Sequence, residues 1–179
     1  MLENSRGAKE INSVKEAEIN SANIELFSNK IQTASKTISN DKKQHTSMYN
    51  RKYTPGYITR LERNEIFVFG SNLAGAHGGG AARIAYQNFG AVWGQGEGLQ
   101  GQSYAIPTMQ GGVETIAPYV DNFIEYAITH YEYTFLVTRI GCGIAGFTVK
   151  EIAPLFKEAI ELENVILPKE FVEAIENQE

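Results

Sequence analysis

The stretch Glu65 to Arg83, E-I-F-V-F-G-S-N-L-A-G-A-H-G-G-G-A-A-R, limits what this chain can fold into more than any other. Its apolar run Ile66-Phe67-Val68-Phe69 consists of residues that fit a buried strand, and Gly70-Ser71-Asn72 ends it. A loop with glycine at 75, 78, 79 and 80 follows. Ala81 to Phe89 then predicts a helix with Ile84, Ala85 and Phe89 on one face and Gly90 at its C-cap. Strand, glycine loop, helix is an arrangement that receives phosphate, because glycines let the backbone approach an anion and the free N–H groups of a first helical turn point at it. Neither common nucleotide fingerprint is met: Ala81-Ala82 stand where a P-loop needs Lys and a hydroxyl, and the glycine spacing is not G-x-G-x-x-G. By itself the cluster fits a tight turn as well as a phosphate cradle.

A second junction of the same kind shifts that balance. Thr134 to Ile140 reads as a near-continuous apolar strand, as in a parallel sheet buried on both faces. Gly141-Cys142-Gly143-Ile144-Ala145-Gly146-Phe147 follows it, and Thr148 with Glu151 forms a T-x-x-E capping box opening a helix expected to run to about Leu162. Between the two junctions lie a short strand or extended piece at Ala91-Val92-Trp93, a glycine-and-glutamine loop at Gly94–Gln102 and a strand at Ser103–Thr108. A helix capped by Thr115 comes next, with Ile116, Val120, Phe123, Ile124, Ala127 and Ile128 as its core face. Asn164–Pro168 reads as the last strand and Glu170–Glu176 as a terminal helix. Strands alternating with helices predict an α/β fold with a mostly parallel sheet and ligand sites at the carboxyl ends of its strands. Fifteen of the 17 glycines fall between Gly70 and Gly146, more than packing alone calls for, and two opposed glycine loops suit a ligand with a pyrophosphate.

Composition sets the outer bounds. At 179 residues and 42% hydrophobic content, the chain holds one ordinary domain and some excess. A net charge of −5 argues against general nucleic-acid binding, which draws on clustered Lys and Arg. The single cysteine, Cys142, excludes an internal disulfide framework and a cysteine-built zinc site; no metal or cofactor is expected. No apolar run reaches about 18 residues and the start is polar, which predicts no membrane span, no signal peptide and a cytoplasmic location. Residues 1–50 are rich in Ser, Asn, Lys and Glu and read as a disordered or weakly helical extension, with partial helix around Val14 to Lys30 and a partner-binding arm as the alternative. Residues 51–179 form the expected domain, entered through the turn residues Tyr53-Thr54-Pro55-Gly56-Tyr57.

With these residues in view, the chain resembles macro domains. Phe67-Val68-Phe69-Gly70-Ser71-Asn72 with Gly78-Gly79-Gly80-Ala81-Ala82 is similar to their first binding loop, and Ile140 to Phe147 is similar to their second. The likeness runs from Tyr53 to Pro168 in order and is nearest to uncharacterised macro-like proteins of bacteria and phages. It implies a three-layer α/β/α fold around a mostly parallel mixed sheet. It also implies a small-molecule ADP-ribose-type ligand, or an ADP-ribosylated macromolecule, as partner. Carried over, Asn72 contacts the distal ribose or orients a water, Gly78, Gly79 and Gly80 face the ligand, Gly143, Ile144, Ala145 and Gly146 wrap the pyrophosphate, and Phe147 packs on the distal ribose. Gly70, Ser71, Gly141 and Cys142 complete the expected binding set. Tyr57-Ile58 stands where the family has an adenine-contacting Asp-Ile pair, and Ala81-Ala82 where several family hydrolases carry an acid.

Among side chains able to assist hydrolysis, His77 sits in the first loop, Glu97 is the one acid of the Gly94–Gln102 loop, and Asn72 is the water-positioning group. His77 and Glu97 each have a plain alternative, as a surface loop histidine and a solvated carboxylate. Cys142 reads better as a small residue in a tight turn than as a nucleophile. Three functions remain open: an ADP-ribosyl hydrolase or ADP-ribose 1″-phosphate phosphatase, a non-catalytic reader or sponge of a nucleotide signal, and a ligand-free structural or interaction domain.

Overall fold

The computed structural model describes residues 52–177; the expectations for residues 1–50 lie outside the described residues. The element order is β1 (Glu65–Ser71), α1 (Gly80–Asn88), β2 (Gly98–Gln100), β3 (Ser103–Pro107), a 3₁₀ turn at Val113–Thr115, α2 (Ala117–Thr129) and β4 (Thr134–Val137). α3 (Val149–Ile152), 3₁₀ turns at Ala153–Phe156 and Glu158–Glu161, β5 (Val165–Ile166) and α4 (Lys169–Glu176) complete it. The five strands form one sheet in the order β2-β3-β1-β4-β5. β1 runs parallel to both β3 and β4, β5 runs parallel to β4, and only β2 is antiparallel.

The hydrophobic pattern of β1 explains its central place. Ile66 and Val68 point to one face and Phe67 and Phe69 to the other, and all four are buried. Ile66 and Val68 join Tyr104, Ile106, Phe135 and Val137 in a core covered by α2, α4 and the α3 region through Phe123, Phe171 and Phe156. Phe67 and Phe69 join Ala105 and Leu136 in a second core, under Ala82, Ala85 and Phe89 of α1 and Ile58 of the entering chain. The protein is therefore α/β, with a five-stranded, mostly parallel mixed sheet between layers of helix.

Several boundaries depart from the sequence expectation, each for a physical reason. Ala91-Val92-Trp93 is not a strand. The strand is β2, inside the stretch read as a loop, where Gly98–Gln100 pairs with the outer edge of β3. Three residues are too few to show an alternation pattern. Thr115 does not cap α2; its hydroxyl donates to Gly112 O at 2.7 Å within the 3₁₀ turn, and α2 starts after Ile116 with Pro118 in its first turn. Ile128 lies outside the core at the far end of α2. β4 ends at Val137: Thr138 N–H to Val68 O is the last bond to β1, and Ile140 N–H then turns back to Thr138 O. The helix expected through Leu162 keeps α geometry only to Ile152. Pro154 has no N–H to continue the ladder, and tighter 3₁₀ turns follow. The last strand shrinks to Val165–Ile166.

Candidate functional site

The two glycine loops leave the carboxyl ends of neighbouring parallel strands, β1 and β4. The loop after β1 leads to α1 on one face and the loop after β4 leads to α3 on the other. A crevice forms where adjacent strands send their connections to opposite faces. Gly70 lies at its base: a Cβ built there would sit 3.3 Å from Thr108 Oγ1 and 3.4 Å from the Gly141 nitrogen, so the ends of β3, β1 and β4 converge on it. Ser71 is buried, its carbonyl accepting from the backbone N–H and the hydroxyl of Thr108 at 2.9 and 3.2 Å.

The glycines separate into two groups once their surroundings are known. Gly75 has φ +63°, and a Cβ on it would run into the backbone of Gly94 and Gln95. A Cβ on Gly96 would meet the carbonyls of Asn72 and Leu73, and one on Gly101 (φ +59°) would meet the backbone of Phe89 and Gly90 at 2.8 Å. These glycines let the first loop, the turn at 92–96 and the end of α1 press backbone to backbone. Gly78 and Gly143 differ. Neither has positive φ; a Cβ on Gly78 would meet only Trp93, at 4.0 Å, and one on Gly143 would meet nothing within 4 Å. Gly146 also faces open space, with φ +83°. Gly79, the N-cap of α1, and Gly80 lie under Ile144: a Cβ on Gly79 would be 2.8 Å, and one on Gly80 3.6 Å, from Ile144 Cδ1. Ile144 is 70% exposed, so the second loop reaches over to the first through a side chain bordered by solvent.

The second loop is braced by Gly146 N–H to Gly143 O and Phe147 N–H to Gly141 O, both 3.0 Å. Phe147 packs toward the core, 3.5 Å from the Cβ position of Gly141, and Ala145 is half-buried. Burial pushes the Cys142 thiol up; Arg139 opposes this, while Glu151 and Glu170 add to the rise. The thiol is therefore the wrong form for a nucleophile at neutral pH. At the mouth of α3, the Thr148 N–H and hydroxyl both donate to Glu151 Oε2, at 2.8 and 2.7 Å, and hold that carboxyl below its usual range.

The three side chains expected to assist hydrolysis each have partners of their own. Asn72 donates from Nδ2 to Ala76 O at 2.9 Å and accepts at Oδ1 from Ala76 N–H at 3.0 Å, closing the first loop on itself. His77 is 1% exposed and packs edge-on against Phe69. Its Nε2 lies 3.0 Å from Val92 O and 3.1 Å from Gln95 O. Both partners are carbonyls, so Nε2 carries the proton, and Nδ1 is buried without a hydrogen-bond partner. Glu97 is exposed at the β2 edge, where its Oε1 accepts from Asn122 of α2 at 3.0 Å, on the opposite face of the sheet from α1. Sequence reasoning passed over Trp93, Tyr86 and Gln100. The Gln100 amide accepts from Val92 N–H at 2.6 Å and donates to Gln95 O at 3.2 Å, a brace inside what read as an unstructured loop. A tryptophan between glycines was the available signal.

Among the described residues no group of three or more His, Cys, Asp or Glu could hold a metal ion, and no helix is long and apolar enough to cross a membrane. Fold and loops together define an α/β protein with two glycine loops at the carboxyl edge of its sheet. No protein-family model matches this chain, and no curated protein or solved structure matches it either.

Proposed function

We propose that the protein binds ADP-ribose, or a related nucleotide-sugar pyrophosphate, in the crevice between the Leu73–Gly80 and Gly141–Phe147 loops. The observation that carries this reading is the pair Gly78 and Gly143, one from each loop. Neither backbone conformation nor packing asks for glycine at either position. A side chain there would project into open space, and an anion that bonds to backbone N–H groups needs that space clear. Gly56, in the chain entering the sheet, is also unconstrained by contacts, but it belongs to neither loop.

The geometry favours a module that holds its ligand intact over a hydrolase. Activation of water needs a base within hydrogen-bond reach of the reacting atom. Asn72 is bonded to Ala76, His77 is buried with its N–H on two carbonyls, and Glu97 is paired with Asn122 at the sheet edge. The loops themselves are sufficient for binding.

Calorimetry with ADP-ribose, with ADP and NAD as comparisons, tests the reading. Gly79→Glu is the matching variant. Gly79 has extended backbone (φ −149°), and its new side chain need displace only the tip of Ile144, so the fold survives while a carboxylate occupies the phosphate approach. Heat with wild type and none with Gly79→Glu is expected, together with no turnover of mono-ADP-ribosylated protein, ADP-ribosylated nucleic acid or ADP-ribose 1″-phosphate. No heat and no thermal shift with any of the three ligands overturns the proposal.

A further inference from the structure

The fold holds an exposed tryptophan at the rim of the first glycine loop, with one inward ring contact, edge-on to the buried His77 at 6.4 Å between centroids. Trp93 is 56% exposed. The turn that carries it is tied down on every side. His77 Nε2 bonds the carbonyls of Val92 and Gln95, which flank Trp93-Gly94. Gly94 N–H donates to Gly75 O at 2.9 Å, Gln95 N–H to Val92 O at 3.1 Å, and Val92 N–H to the Gln100 side chain. A buried histidine and a buried glutamine are thus both spent on one surface turn. The ring itself is oriented. Its edge lies 4.0 Å from the Cβ position of Gly78, the first residue of the triple glycine. Tyr86 of α1, also exposed, meets it edge to face with ring centroids 5.7 Å apart and planes at 70°. A surface tryptophan without neighbours would lose orientational freedom on capturing a ligand; this one has two ring neighbours that orient it beforehand.

We propose that Trp93, kept in plane by Tyr86, is a stacking platform for the nucleobase of a nucleotide whose phosphates lie in the glycine loops. The assignment rests on the pyrophosphate reading of those loops and adds the group that recognises the base. A base joined through one ribose to a phosphate at the start of α1 falls next to Gly78, where the exposed Trp93 ring offers a π-face and no hydrogen-bond pattern. The platform therefore binds by stacking, and it tolerates exchange of one purine for another.

Trp93 is the only tryptophan in the full chain, so its emission reports the platform alone. In the full-length protein, ADP-ribose is expected to quench that emission, and inorganic pyrophosphate to give heat by calorimetry without quenching. Trp93→Leu is expected to weaken ADP-ribose binding by about 5- to 150-fold, the range of one base–aromatic stack, while pyrophosphate binding is unchanged. Trp93→Phe keeps a π-face and recovers most of the loss. ADP-ribose heat without a change in emission overturns the platform and leaves the pyrophosphate site standing, as does a Trp93→Leu protein that binds ADP-ribose as tightly as wild type. Absence of heat with every ligand overturns both. The quenching arm uses the unaltered protein and does not depend on how the variants fold.

Discussion

Replacing two glycines by alanine, Gly75 and Gly143, tests the proposed division between glycines that serve the fold and glycines that face a ligand. Gly75 has φ +63°, where a Cβ costs about 1–2 kcal/mol, and its Cβ would also enter the backbone of Gly94 and Gln95. That contact is relieved only by parting the first loop from the Trp93 turn, with loss of the Gly94 N–H bond to Gly75 O, and adds about 1–3 kcal/mol. Gly75→Ala is therefore expected to lose about 2–5 kcal/mol, a fall in Tm of about 6–25 °C for a domain of this size. Gly143 has no positive φ and nothing within 4 Å of its Cβ position. Gly143→Ala is expected to hold or gain about 0.4–1 kcal/mol, because alanine narrows the unfolded ensemble. It is also expected to bind ADP-ribose at least about tenfold more weakly, a loss of about 1.4 kcal/mol. Urea denaturation followed by circular dichroism gives the stabilities and calorimetry the affinities. A Gly75→Ala protein that melts within about 3 °C of wild type refutes the close-packing argument. A Gly143→Ala protein that is both as stable and as tight-binding as wild type refutes the division itself.

Other perturbations have equally definite outcomes. His77→Phe keeps the ring volume against Phe69 but leaves the Val92 and Gln95 carbonyls without their shared donor; we expect a loss of about 1–3 kcal/mol in denaturation and a rise in the mobility of Trp93 by fluorescence anisotropy. Burial, then Glu97, then Tyr126 push the Tyr104 phenol up to about 12. Because its folded value lies above the ordinary value of 10.0, the neutral phenol stabilises the fold below that pH and the contribution is lost as pH rises toward 12; Tyr104→Phe should flatten this alkaline fall in Tm. The Glu151 carboxyl is held low by Thr148, so its contribution is present above the ordinary carboxylate range and lost as pH falls through the lowered value. Glu151→Gln should accordingly be less stable than wild type at pH 7, with the difference closing as the pH is lowered, followed by Tm.

The sequence by itself determined the elements whose pattern is long or chemically sharp. β1 and β4 are legible because a run of apolar residues with both faces buried has few alternatives, and α1 because alanines follow a glycine turn. The Thr148–Glu151 box is legible because both partners lie within one turn. Both glycine loops were likewise visible at their strand ends. What the sequence left undecided depends on partners far along the chain. β2 exists because β3 has an open edge, and three residues hold no period to read. Ile128 falls at the edge of the helical stripe of α2 and is exposed, while Ile124 and Ala127 beside it are buried. His77 read as a loop residue and is interior, because its ring fills the space between Phe69 and a turn 15 residues further on. Above all, glycine is one letter with three physical uses: positive φ, close approach and open space. Only the tertiary structure separated Gly75 and Gly96, pressed against neighbouring backbone, from Gly78, which has only the Trp93 ring at 4.0 Å, and Gly143, which has nothing within 4 Å, since a missing side chain is defined by the neighbours it would have met.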